Sequence, residues 1–198
     1  MADGARTILM FVVFPLWVVT AVVDWACHRR TVIEDTSGLK ENLIHLLMTA
    51  QVGIGMVVVA LAEINAAVLL FVLVVFLLHE LTVYWDLHYT VPLRQVGPFE
   101  QMVHSFLELL PLLSLALLAA VQWEQALSLF GIGDAAADFS LRLKSHPLPP
   151  ADLAVGLLAA VLFCVVPLLE ETWRCWKARR PQPAADPSAR IRPSPGPR

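Results

Sequence analysis

Apolar residues run along this chain in five long blocks separated by short polar stretches. They cover residues 7–27, about 39–63, 65 to about 85, 97–123 and 151–173. Each block is close to the roughly 20 residues an α-helix needs to cross the hydrocarbon of a bilayer. The string TSG before the second block suits a helix start, with Thr36 or Ser37 as cap. Pro98 opens the fourth block in the first-turn position that proline favours. Blocks two and three meet at Glu63-Ile64-Asn65, a tight turn that forces an antiparallel pair. The pattern therefore predicts an all-α, polytopic membrane helical bundle with about five transmembrane helices.

Two stretches break the pattern. Residues 124–150 are less apolar, and EQALSLF and DFSLRLK within them read as short amphipathic helices at the interface. HPLPP, residues 146–150, reads as a stiff turn before the last block. From Pro181 onward the chain is proline-rich, polar and basic, which cannot bury a core. The expected organisation is one transmembrane bundle domain over residues 1–180 and a disordered tail over 181–198. The first apolar run lacks a small-residue cleavage site and ends in Asp24, Trp25 and His28, so it is read as retained rather than as a cleaved signal. No internal repeat of fixed period is visible.

Composition sharpens this picture. The chain is 58% hydrophobic and 16% charged over 198 residues, with mean hydropathy +0.67. A soluble domain would carry about a quarter charged residues. The net charge of −3 says little about partners, because the membrane decides where charges sit. Cys27, Cys164 and Cys175 form no CxxC and no even-numbered framework, which argues against a disulfide scaffold. Cys27 sits beside His28 but reads as a buried thiol. Lysine and arginine set orientation. Five spans would place Arg29, Arg30, Lys40, Arg94, Arg174, Lys177, Arg179, Arg180, Arg190, Arg192 and Arg198 on one side. Only Arg6, Arg142 and Lys144 fall on the other. The expectation is N-terminus out and C-terminus in, which in a bacterial cell means the inner (cytoplasmic) membrane. Tryptophans near the span ends read as an aromatic belt, and Gly53 and Gly55 as sites of close helix contact.

The ionisable residues carry the chemistry. Three times a carboxylate is followed four positions later by a histidine: Asp24/His28, Glu41/His45 and Glu100/His104. Residues four apart share a helical face. His79 and Asp86, two turns apart, share a face of the third block. Alternating helix direction brings all eight residues to one end of the bundle, within or near hydrocarbon, where ionisable groups are costly unless paired or bound to a cation. Imidazoles and carboxylates supplied inward by four helices are the ligand chemistry of a two-metal site in a bundle core. The expected ligands are Asp24, His28, Glu41, His45, His79, Asp86, Glu100 and His104, with Glu80, His88 and Glu108 ranked lower. In an unbroken helix His88 would point roughly opposite His79. The four acids Asp24, Glu41, Asp86 and Glu100 would be neutralised by two divalent ions, iron favoured, zinc or manganese as alternatives.

Such a centre points to a membrane-embedded di-metal enzyme of the oxidase, hydroxylase or desaturase kind. It would act on a lipid or other apolar substrate at the cytoplasmic side, with membrane lipids and an electron-transfer partner around it. A hydrolytic zinc or manganese enzyme is a less favoured variant. Two alternatives stand beside it: a metal-ion binding or transport protein without catalysis, and a b-type haem protein with histidines such as His45 and His104 as axial ligands. The haem reading does not use the carboxylates. No nucleotide loop, nucleophile motif or nucleic-acid patch is present, so no nucleic-acid partner is expected.

The strings DWACHRR, TSGLKENLIH and MVHSFLELLP resemble a group of small bacterial integral membrane proteins. The resemblance covers about residues 10–125 and implies no particular activity. In type, the arrangement is similar to membrane fatty-acid hydroxylases and desaturases, whose histidine-rich di-iron sites lie at the cytoplasmic helix ends. Their HxxxH and HxxHH boxes are absent here, and carboxylates stand in for many of the histidines. That mixture resembles the ferritin-like di-iron carboxylate proteins, although those space acid and histidine three apart rather than four.

Overall fold

The structure, a computed structural model, describes residues 2–179; the tail expected over 181–198 lies outside the described residues. Five helices are long and apolar enough to cross a membrane: α1 (Gly4–Thr31), α2 (Gly38–Leu61), α3 (Ala66–Thr90), α4 (Pro98–Val121) and α5 (Pro150–Ala178). α1, α3 and α5 outrun their apolar blocks by up to five residues, because polar residues at their ends turn inward and need no break in the helix, while α2 and α4 end two residues short of theirs. Both α1 and α5 widen into a π turn, at Leu9–Val13 and Val161–Val165. Each turn lies just ahead of a proline, Pro15 and Pro167, whose missing N–H disturbs the regular ladder. Pro111 sits inside α4, as membrane helices tolerate.

The distribution of residue types is inverted relative to a water-soluble protein. His28, Glu41, Asn42 and Glu171 are among the largest fully buried side chains, while Phe11, Val19, Leu81, Leu109, Val155 and Leu157 are exposed. In water this would forfeit the hydrophobic effect and desolvate charges for nothing; in lipid the outer face is matched. The chain is a multi-pass membrane protein. One half of the bundle is held by an apolar cluster of Val13, Trp17, Leu110 and Cys164 from α1, α4 and α5. The other half holds the ionisable residues.

The turn from α1 to α2 is tight. Val32 takes a left-handed conformation (φ 52°), unfavourable for a β-branched residue, and Ile33 beside it is fully buried. Neither cap candidate closes α2. The Thr36 hydroxyl donates back to Ile33 O at 3.3 Å, and the Ser37 hydroxyl has no hydrogen-bond partner; Gly38, at φ 63°, carries the chain in. Close approach is not what Gly53 and Gly55 serve. A methyl at Gly55 would meet Val75 at an ordinary 3.9 Å, and one at Gly53 would meet nothing.

At the opposite end, Trp123–Ser128 forms a short helix covering most of EQALSLF. The helix expected over DFSLRLK is instead an extended strap. Glu63 N donates to Arg142 O and Lys144 N to Leu61 O, both at 2.9 Å, and Ala67 N to Asp138 O at 3.1 Å. The segment alternates apolar Phe139, Leu141 and Leu143 with polar Ser140, Arg142 and Lys144, a period of two that suits extended chain. It also meets backbone groups that the α2–α3 turn leaves free. Asn65 ties the two together: its Oδ1 accepts from Val68 N at the start of α3, and its Nδ2 donates to Ser140 O. Glu63 accepts from the Ser145 N–H and hydroxyl, which hold its carboxyl below the usual range.

Candidate metal centre

The centre is built from one turn of each of four spans. The last turns of α1 present Asp24 and His28 on one face. The first turns of α2 present Glu41 and His45. Asp86 comes from the end of α3, Glu100 and His104 from the start of α4. Asp24, His28, Glu41, His45, Asp86 and Glu100 are buried, and His104 is nearly so. Their imidazoles crowd together: His28 and His45 stack with centroids 4.8 Å apart, and His104 stands edge-on to both at 6.3 and 6.2 Å.

The ligand atoms fall into sets that could hold a metal ion, each within 4.8 Å of one another: His28, Glu100 and His104; Glu41, His45 and Asp86; and Asp24, His28 and His45. The first two sets share no residue. Asp24 lies between them, with Oδ1 2.9 Å from His104 Nε2 and 3.8 Å from His28 Nε2, and Oδ2 4.0 Å from His45 Nδ1. His45 Nε2 reaches Asp86 Oδ2 at 3.2 Å. Three atoms at the heart of the cluster, His28 Nε2, His104 Nε2 and Asp24 Oδ1, have no hydrogen-bond partner although buried. His104 and Asp24 are close, but not along a hydrogen-bond direction. Buried polar groups are rarely left so, and lone pairs converging without a proton between them fit a cation.

Two residues that the sequence reading did not single out complete the arrangement. Glu171, on α5, is fully buried and accepts from His28 Nδ1 at 3.2 Å. It fixes the tautomer that turns the Nε2 lone pair toward Asp24, Glu41 and Glu100, as partners of metal-ligating histidines do. Glu171 is itself held by Asn42 Nδ2 at 2.9 Å, and Asn42 accepts from the Thr172 hydroxyl at 2.6 Å. Its neighbour Glu170 faces outward to Trp25, Arg29 and Arg174, and Arg174 also pairs with Glu34.

Arg94 is the second. It lies in the connection between α3 and α4, and its backbone N–H donates to Thr90 O. Its Nη2 lies 2.5 Å from Glu41 Oε1 and 2.6 Å from Glu100 Oε1, and Nε donates to both Glu41 oxygens. It thus bridges one carboxylate from each of the two disjoint sets. Burial alone would lower its pKa, but the hydrogen bonds to Glu41 and Glu100 outweigh this and hold it above the ordinary arginine value. Five carboxylates against one arginine leave the same four negative charges that two divalent ions would balance.

His79, Glu80, His88 and Glu108 stay outside these sets. α3 runs unbroken through Thr90, so His88 points away from Asp86; it is exposed and stacks on Tyr84. His79 shares the Asp86 face but lies two turns deeper. It is buried on a cavity wall, and its Nδ1 has no hydrogen-bond partner. Glu80 and Glu108 interact with each other at similar depth. Cys27, Cys164 and Cys175 are buried free thiols.

No known protein family, curated protein or solved structure matches this chain. Its chemistry has to be read from the site itself.

Proposed function

We propose that the protein is a membrane-embedded di-metal oxidoreductase. It would act on a lipid or other apolar substrate, with dioxygen as oxidant and a separate electron donor. What carries the reading is the division of the cluster into two disjoint three-residue sets with Asp24 between them. The set His28, Glu100 and His104 offers two imidazoles and one carboxylate, the donor combination of non-haem iron(II) oxygenases. The set Glu41, His45 and Asp86 is richer in carboxylate and suits iron or manganese. Glu171 and Arg94 would orient His28 and the two glutamates, while the surrounding helices exclude water. By this reading the metals supply the redox chemistry and the protein supplies geometry and charge.

Transport gains no support from the far half of the bundle, where the helices meet through Val13, Trp17, Leu110 and Cys164 rather than along a polar path. A haem reading leaves the five carboxylates without a task.

The test is elemental analysis of full-length, detergent-purified protein. The expected content is about two metal ions per chain, mostly iron, falling to one or none in His104→Ala. Stoichiometric zinc with no iron would defeat the oxidase version. Absence of metal under metal-replete expression would defeat the centre altogether.

A further inference from the structure

The cluster has two unlike sides. On the side of the α3–α4 connection, Arg94 closes it across Glu41 and Glu100. On the side of the membrane interior, a cavity of about 80 Å³ begins at Asp24, His45, Asp86 and His104. It continues between apolar walls that include Trp17, Val52, Leu107 and Cys164. A molecule held in this cavity meets mostly apolar walls on its way to the cluster.

The wall is not wholly apolar, since Thr49, His79 and Glu108 also line it. His79 is 6% exposed and lines the cavity. It lies roughly 16 Å below the end of α3 at Thr90, at about 1.5 Å of rise per residue. Its Nδ1 is buried and has no hydrogen-bond partner. A neutral imidazole nitrogen either donates or accepts, and a hydroxyl can meet it in either state. A buried polar atom of this kind is costly unless a partner meets it.

We propose that this cavity binds the substrate of the centre as an aliphatic alcohol, its chain against Trp17, Val52 and Leu107 and its hydroxyl hydrogen-bonded to His79 Nδ1. A hydrocarbon in the same place leaves this buried nitrogen unpaired, so the alcohol is preferred. Calling the ligand a substrate rests on the metal-dependent reading above; binding in the cavity does not. His79 is thereby a binding residue rather than a metal ligand.

The experiment is photolabelling of the full-length protein in detergent with a diazirine analogue of 1-pentanol, mapped by mass spectrometry. The same diazirine without the hydroxyl serves as control. The alcohol should label cavity residues such as Trp17, Leu107 and Glu108, in competition with 1-pentanol. His79→Leu should cut that labelling at least fivefold. His79→Gln, which can present an oxygen at similar reach, should keep part of it. Equal labelling in wild type and both variants would overturn the proposal. So would equal cavity labelling by the hydrocarbon, or labelling confined to lipid-facing positions. Metal content measured on the same preparations separates the two readings. His79-dependent labelling of metal-free protein keeps the alcohol site and removes the metal centre. His79-independent labelling of metal-loaded protein does the reverse.

Discussion

His28 Nδ1 has Glu171 as its partner, and Glu171 is gripped in turn by Asn42. The chain of contacts crosses α1, α5 and α2 before it reaches a ligand atom. Glu171→Gln keeps the size but offers an amide, whose N–H group would face the N–H of His28 or of Asn42. Metal affinity is expected to fall about 10- to 100-fold, as when such orienting partners are lost. Competition with a chromophoric chelator would measure this, and an unchanged affinity would deny Glu171 that task. Arg94→Met acts differently. It leaves Glu41 and Glu100 facing each other, buried and without their cation, a loss that typically costs about 3–5 kcal/mol. Metal-free protein should therefore melt at lower temperature than wild type, and added metal should restore more of the difference than it adds to wild type. A thermal shift independent of metal would separate Arg94 from the centre. The seven residues that the structure gathers into the cluster are legible in the sequence because each has a partner at helical spacing within its own block. Glu171 was not, since Glu170 beside it and the basic residues after it look like an ordinary membrane boundary. Its signal is the burial stripe Cys164, Glu171 and Cys175 along one face of α5, where two small thiols mark the inward side. Arg94 was counted only as a positive charge in a loop, because nothing local tells a buried arginine from a solvated one.

At the scale of elements, the helices followed from hydrophobic length and the strap did not. The alternation in DFSLRLK is twofold rather than helical, and the contacts that decide the matter come from the α2–α3 turn some 75 residues away. Asn65 is the hinge of that arrangement, capping α3 and holding Ser140 O at 2.7 Å. Asn65→Ala removes both bonds, and loss of the cap alone typically costs about 1 kcal/mol. Protease should then cut residues 130–148 faster, with metal content unchanged. Cleavage at the wild-type rate would show that the strap is held without Asn65.

For the whole molecule, orientation is still carried by the charge pattern alone. Among the described residues, seven lysines and arginines fall at the end that holds the cluster and three at the end with the strap. The positive-inside tendency then expects a cysteine introduced at Lys40 to be shielded from a membrane-impermeant thiol reagent in intact cells. A cysteine introduced at Ser145 should react. The opposite labelling would turn the molecule over and put its centre outside the cell.

Arg94 has one more effect, on kinetics. A fixed guanidinium over the mouth of an anionic cage repels any bare ion diffusing in from water and blocks the way of one leaving. Exchange would then wait on excursions of the α3–α4 connection, so residence time would track how often that segment lifts rather than how strongly the donors hold. A centre built this way could be thermodynamically modest and yet outlast a strong chelator for hours.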